Sequence, residues 1–449
     1  MADLQGTLRS FAIPSIQAIV ANAGGMVATA VVTSGLGIPY WVLAAHTFPA
    51  SAVGLGSAAV SAMTLLSFLG MVGLGTLLVS EYPRYPGKEG RLVVTALATA
   101  ASAGTVLGLL FSVVVPRVFP TLGPIGAGPA QIAFFSLSVG VGSAALVLDG
   151  AVLGLLLGHL QFIRNALFSV LKLALLWLIA TQLNPTGWLA IMGSWSVANL
   201  VASAPVAAYL LIRHHPDQVK PYWRFLEGLH RSALEHHSLN MALLLPSFTL
   251  PVLVAGIISP QANAYFYTAW MIAYFVFVGP HALTHVLYTV SVRDRSQAGR
   301  YLGFTLRLSL LCGLATIAVM LLAADPVLRL FGPAYAANGR LPLLLITLAV
   351  IPMSIKSHFV AISRIEGTVG RAAMIVVGGS ILELGAAFIG GRLGGLVGLS
   401  LGWLLATVVE GAVIAPLVRR STRSWGAFSG SGGGMAWLLA PRNTGGPER

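Results

Sequence analysis

The chain has 449 residues, of which 56% are hydrophobic and only 9% are charged, against roughly 25% charged in a soluble domain. At a mean hydropathy of +0.85 it cannot cover itself with polar surface, which excludes a soluble enzyme, a secreted disulfide scaffold and a disordered chain. Its net charge of +13 is read as loops beside an anionic leaflet, with no nucleic acid among the expected partners.

A bilayer core of ~30 Å takes about 20 apolar residues per helix. Twelve spans are predicted, at 14–38, 51–79, 91–115, 131–153, 163–183, 187–212, 238–258, 262–289, 301–323, 341–362, 371–391 and 395–417. Pro and Gly separate them, as in Thr47-Phe48-Pro49, Tyr82 to Gly87, Pro120 to Pro129 and Phe331-Gly332-Pro333. The first span runs on through Gly24-Gly25 with no clear cleavage site, so it is read as a retained helix rather than a signal peptide. With the N-terminus in the cytoplasm, 19 of the 26 Lys and Arg residues fall in the N-terminus, the even-numbered loops and the tail. Only Arg117, Arg329, Arg340 and Arg392 fall opposite. That asymmetry places both termini in the cytoplasm as an expectation.

A faint repeat divides the chain. Pro49-Ala-Ser-Ala-Val-Gly opens span two and Pro260-Gln-Ala-Asn-Ala-Tyr opens span eight. Arg117-Val-Phe119 closes span three and Arg329-Leu-Phe331 closes span nine at nearly the same offset. An all-α membrane fold follows, with twelve transmembrane helices in two six-helix lobes, 1–212 and 238–418. Six is even, so the lobes enter the bilayer in the same sense and are related by a pseudo-two-fold along the membrane normal, with a cavity between them. The basic segment 213–237 is the expected cytoplasmic linker. The tail 419–449, with its Ser429-Gly-Ser-Gly-Gly-Gly434 run, is expected to be disordered.

Much chemistry is missing. No G-x-x-x-x-G-K-[ST] or H-E-x-x-H occurs, and the single Cys312 permits neither an internal disulfide nor a cysteine zinc site. His281 and His285 have metal-compatible spacing but lack a third ligand. No metal or other cofactor is expected. The two longer outward loops, 116–130 and 324–340, hold one acid, Asp325. Catalysis is therefore disfavoured and a non-enzyme expected.

Ionisable residues inside spans cost at least ~2.5–3.5 kcal/mol near the bilayer centre. Asp149 and Lys172 lie at neighbouring depths on the hairpin of spans four and five, and a structural ion pair between them is one reading. The functional reading has Lys172 and Lys356 attracting a phosphate, while Asp149, Glu383 and Glu410 exchange a coupling ion. Glu383 is the deepest acid, roughly 18 Å in at 1.5 Å per residue, with no evident neighbour at its own level. In span eight, Tyr267, Trp270, Tyr274, Phe277, His281, His285 and Tyr288 recur every three or four residues on one helical face. That stripe reads either as packing plus an interfacial belt, or as a passage where rings stack on sugars and imidazoles bond hydroxyls or phosphate. Gln17 and Asn22 of span one are further cavity candidates.

The chain resembles the polysaccharide-transport flippases of the multidrug/oligosaccharidyl-lipid/polysaccharide exporter superfamily. The likeness rests on Gly54 to Pro83 with Gly73-Leu-Gly75-Thr-Leu-Leu, on Asp149-Gly-Ala-Val-Leu-Gly154 and on Arg164-Asn165. Ala264-Tyr-Phe-Tyr-Thr-Ala-Trp270, Leu330-Phe-Gly-Pro-Ala-Tyr335 and Gly394 to Trp403 complete it. The resemblance implies a V of two lobes, alternating access, and a path lined by spans one, two, seven and eight. It also pairs an aspartate ending span four with an arginine opening span five, which Asp149 and Arg164 match. The expected function is flipping a lipid-linked oligosaccharide, an undecaprenyl-pyrophosphate glycan, across the bacterial cytoplasmic membrane for polysaccharide or O-antigen export. H+ or Na+ and glycan-assembly enzymes are the expected partners beside the bilayer. The alternatives are a drug/cation antiporter of the same superfamily and a membrane glycan polymerase or ligase.

Overall fold

The computed structural model describes residues 35–182, 187–212, 220–228, 231–293 and 298–430. Within them the chain is helical, with no strand. In lipid this is what apolar sequence dictates, because a helix satisfies its own backbone groups. In chain order the helices are α1 (described over 35–47), α2 (Ala50–Met71, resuming as Leu74–Glu81), α3 (Glu89–Val118), α4 (Pro129–Gly154), α5 (Gly158–Gln182) and α6 (Trp188–Ile212). Then follow α7 (Arg231–Ile257), α8 (Pro260–Arg293), α9 (Ala298–Arg329) and α10 (Pro333–Leu348 with Val350–Glu366). The final helix, Val369–Gly430, loses helical geometry at Gly394 and Gly395 and so makes two arms, α11 (369–393) and α12 (396–430). Among the described residues nine helices are long and apolar enough to cross a membrane singly. The bent α10, the division of the last helix and α1 bring the number to the predicted twelve.

Two boundaries differ from expectation. α7 begins at Arg231, inside the segment read as linker, and α12 continues to Gly430, into the segment read as disordered tail. Hydropathy marks where lipid ends, whereas a helix ends where its backbone is broken, and neither stretch holds a breaker at those points. The rest of the tail, 431–449, lies outside the described residues, as do residues 1–34 and with them most of the first span. Part of the linker forms a short 3-10 helix, Trp223–Gly228. It is tied to the first lobe by Tyr222 N–H to Thr95 Oγ1 (2.7 Å) and Arg91 Nε to the Lys220 carbonyl (3.1 Å).

Four apolar clusters organise the packing. Near the basic loops each lobe has its own core. In the first lobe Leu74, Leu78, Leu92, Val147 and Leu210 pack together; in the second, Leu239, Leu287, Leu302, Ile362 and Val418. At the opposite end one core is shared: Tyr40, Trp41, Val53 and Ile191 pack with Leu250, Phe266, Phe331, Leu399 and Trp403. A fourth cluster on that side joins Phe135, Leu122 and Met192 to Ala255. Polar contacts cross the seam at the same end. Asn263 Nδ2 donates to the Gly54 carbonyl (2.7 Å) and to Ser57 Oγ (3.0 Å), and Thr121 Oγ1 donates to the Gly256 carbonyl (3.1 Å). Gly54 lets α2 and α8 touch, since any Cβ there would strike the Pro260 carbonyl. Nearer the basic end, α8 turns Tyr274, Val278, Val286 and Tyr288 outward, and α2 turns Val79 outward. The two lobes thus share a core away from the basic loops and keep separate cores beside them.

Candidate functional site

The polar interior of the first lobe is built by two stripes. On α5, Arg164, Phe168 and Lys172 recur every four residues; on α6, Trp195, Asn199 and Ser203 do the same. The helices are antiparallel neighbours, so the stripes pass in opposite order. Arg164 meets Asn199 (3.2 Å) and Ser203 (3.4 Å), while Lys172 meets Trp195. Arg164 also forks onto Asp149, Nε to Oδ1 at 2.7 Å and Nη2 to Oδ2 at 2.5 Å, and donates to Asn165 Oδ1 at 3.0 Å. Every guanidinium nitrogen has an acceptor, the arrangement that makes an arginine tolerable in a buried site.

The expected Asp149–Lys172 pair is therefore corrected: Asp149 is taken by Arg164. Arginine wins because its fork matches both carboxylate oxygens. Lys172 instead points its ammonium at aromatic faces, with Nζ 4.3 Å from the Trp195 ring, 5.0 Å from Phe168 and 5.5 Å from Tyr40. Tyr40 is itself anchored, sharing a 2.8 Å hydrogen bond with Ser194 Oγ and donating to the Ile191 carbonyl at 3.0 Å. Desolvated cation–π contacts are worth about 2 kcal/mol.

The second lobe holds a denser centre. Lys356 on α10 donates to Glu383 Oε1 on α11 (2.8 Å) and to Glu410 Oε2 on α12 (2.9 Å). Trp403 Nε1 donates to the second oxygen of Glu383 at 2.7 Å. Glu383 is wholly buried, and Lys356 and Glu410 nearly so. The Glu410 carboxylate reaches Gly379, where any side chain would collide with it, and its Oε1 has no hydrogen-bond partner. Two carboxylates thus share one ammonium, leaving an excess negative charge and one open acceptor in a dry site. This corrects two expectations. Glu383 is not solitary, because the long Lys356 side chain spans the level difference between α10 and α11. Nor does Lys356 face a passage, because both acids already hold its ammonium.

The α8 stripe divides. Tyr267 packs on Trp41 of the first lobe (4.7 Å between centroids) and Trp270 turns into its own lobe against Trp403 (4.9 Å). Phe277 is buried, whereas Tyr274, His285 and Tyr288 are exposed on the parted half. The side chain of His281, and both Gln17 and Asn22, lie outside what the structure describes. Sequence reasoning missed Trp403, Tyr40, Trp195 and Phe168. Three of these had a readable signal: Trp403 precedes Glu410 by two turns, Phe168 precedes Lys172 by one, and Trp195 stands one turn from Asn199.

No protein-family model matches the sequence, and no curated protein is similar to it. Solved structures are similar. An inward-facing multidrug resistance MATE family transporter of the MOP superfamily superposes with a TM-score of 0.67 at 16% identity, over 89% of this chain and 96% of that one. An outward-facing structure of a transporter described in the same terms gives 0.60 at 15%, over 91% and 96%. A MOP superfamily transporter from Pyrococcus furiosus, whose reversed pocket polarity is said to suggest a different function, gives 0.59 at 15%, over 91% and 96%. The chain has the fold of these transporters, two six-helix lobes.

Proposed function

We propose that this chain is a membrane transporter, not an enzyme, that moves a lipid-linked oligosaccharide across a bacterial cytoplasmic membrane by alternating access. The observation that carries the reading is the arrangement of cores, shared at one end and separate at the other, so the lobes can rock without either unfolding. With the basic loops in the cytoplasm, such a V would open inward, and Tyr274, His285 and Tyr288, exposed on α8, would line its wall. An undecaprenyl-pyrophosphate glycan would enter with its headgroup between the lobes and its chain in lipid. Lys172, beneath its aromatic lid, is the cation left for the phosphate; Lys356 is committed to its acids. The Lys356–Glu383–Glu410 centre is the coupling site. One H+ or Na+ would cancel its excess charge, and Glu410 Oε1 is the acceptor that would hold it.

A drug/cation antiporter is the second reading. It is favoured by the likeness to multidrug transporters and by the withdrawal of Lys356 from the cleft. Liposomes reconstituted with the purified chain separate the two. The flippase reading expects a fluorescent lipid-linked glycan to become accessible on the far leaflet with no new glycosidic bond. A fixed glycan orientation, with gradient-driven movement of tetraphenylphosphonium, would establish the antiporter instead. A lengthened glycan would establish a polymerase or ligase.

A further inference from the structure

The second lobe has a cavity that neither the cleft nor the ion centre uses. It lies at the end away from the basic loops, between the start of α8, the first segment of α10 and the α11–α12 break, and has a volume of about 560 Å³. That is within the ~300–1,000 Å³ of small-ligand sites. Its polar lining consists of Ser259, Gln261, Tyr265 and Asn338, with Gly394 at the break, and no Asp, Glu, Lys, Arg or His lines it. The Gln261 amide donates to Tyr265 Oη at 3.1 Å, and Asn338 is exposed. Behind Tyr265, the Tyr335 ring packs edge-on at 5.2 Å, and its buried hydroxyl has no hydrogen-bond partner. At Gly394 and Gly395 the peptides leave helical geometry, and a Cβ at either would meet open space.

Amides and phenols offer donors and acceptors together, which is what vicinal hydroxyls require. An uncharged lining gives a phosphate or an organic cation no counter-charge. We infer that this cavity is a docking site for a neutral oligosaccharide segment, engaging cargo sugars at the face opposite the basic loops. The inference rests on the glycan reading and extends it by naming a second contact for the headgroup.

The test uses the full-length protein in lipid nanodiscs, titrated calorimetrically with maltotriose, cellotriose and chitotriose. Saturable binding of at least one at millimolar concentration is expected. Asn338→Leu should weaken it about tenfold, the loss of one or two neutral hydrogen bonds. Gly394→Trp, whose Cβ meets no atom within 4 Å, should abolish it without lowering the melting temperature. No saturable binding, or binding indifferent to both substitutions, overturns the inference. The liposome assay of lipid-linked glycan movement is read on the same preparations. Movement with no oligosaccharide binding refutes this site alone, whereas loss of movement in the wild-type chain refutes the transport reading.

Discussion

Lys356 sets the electrostatics of the second lobe. Removing one partner of a buried ion pair costs about 3–5 kcal/mol, because the remaining charge stays buried. Lys356→Met leaves both Glu383 and Glu410 unpaired, so thermal melting followed by tryptophan fluorescence should show a large loss of stability. Glu410→Gln does the opposite. It leaves one ammonium facing one carboxylate, so the melting temperature should hold or rise, while transport should lose its response to an imposed H+ or Na+ gradient. A Glu410→Gln protein that still responds would exclude this centre as the coupling site. Sequence legibility ended here for a definite reason. Depth along each helix can be counted from residue spacing, which placed charges of both signs at similar levels. Which charge turns toward which depends on helix rotation and on the reach of a side chain, so depth alone matches Asp149 with Lys172 and Glu383 with nothing, whereas the family resemblance pairs Asp149 with Arg164, as the structure does.

At the level of elements, the spans were readable because lipid imposes length and apolarity together. The α8 stripe shows the limit of that reading. Its spacing is regular, yet Tyr267 and Trp270 meet opposite lobes, because a residue step of three or four drifts around the helix and the seam between lobes is narrower than the drift. Breaks are where elements are most sensitive. Gly395 has φ 57° and ψ −141°, a region near-exclusive to glycine, where another residue costs about 1–3 kcal/mol. Gly395→Ala should lower the melting temperature, while Gly394→Ala, at negative φ, should not. Where α2 crosses α8, Gly54→Val pushes the helices apart at the Pro260 carbonyl and strains the Asn263 hydrogen bonds on that seam.

For the whole molecule, the seam substitution becomes a population shift. Cysteines at Val79 and Val286, both exposed on the parted side, in a background with Cys312 replaced by serine, give a spin-label distance between the lobes. The wild-type protein should favour the long distance. Gly54→Val weakens closure at the far end and should add a population at shorter distance. An unchanged distribution would mean that the shared core does not control the opening.

Each lobe also assembles its own buried ion pairs. Asp149, Arg164 and Asn199 meet within six consecutive helices, and Lys356, Glu383 and Glu410 meet within the next six. During synthesis, then, the first lobe can close its Asp149–Arg164 pair while the second is still emerging from the ribosome. Neither set of intramembrane charges needs to wait for the other lobe before leaving the insertion machinery for lipid.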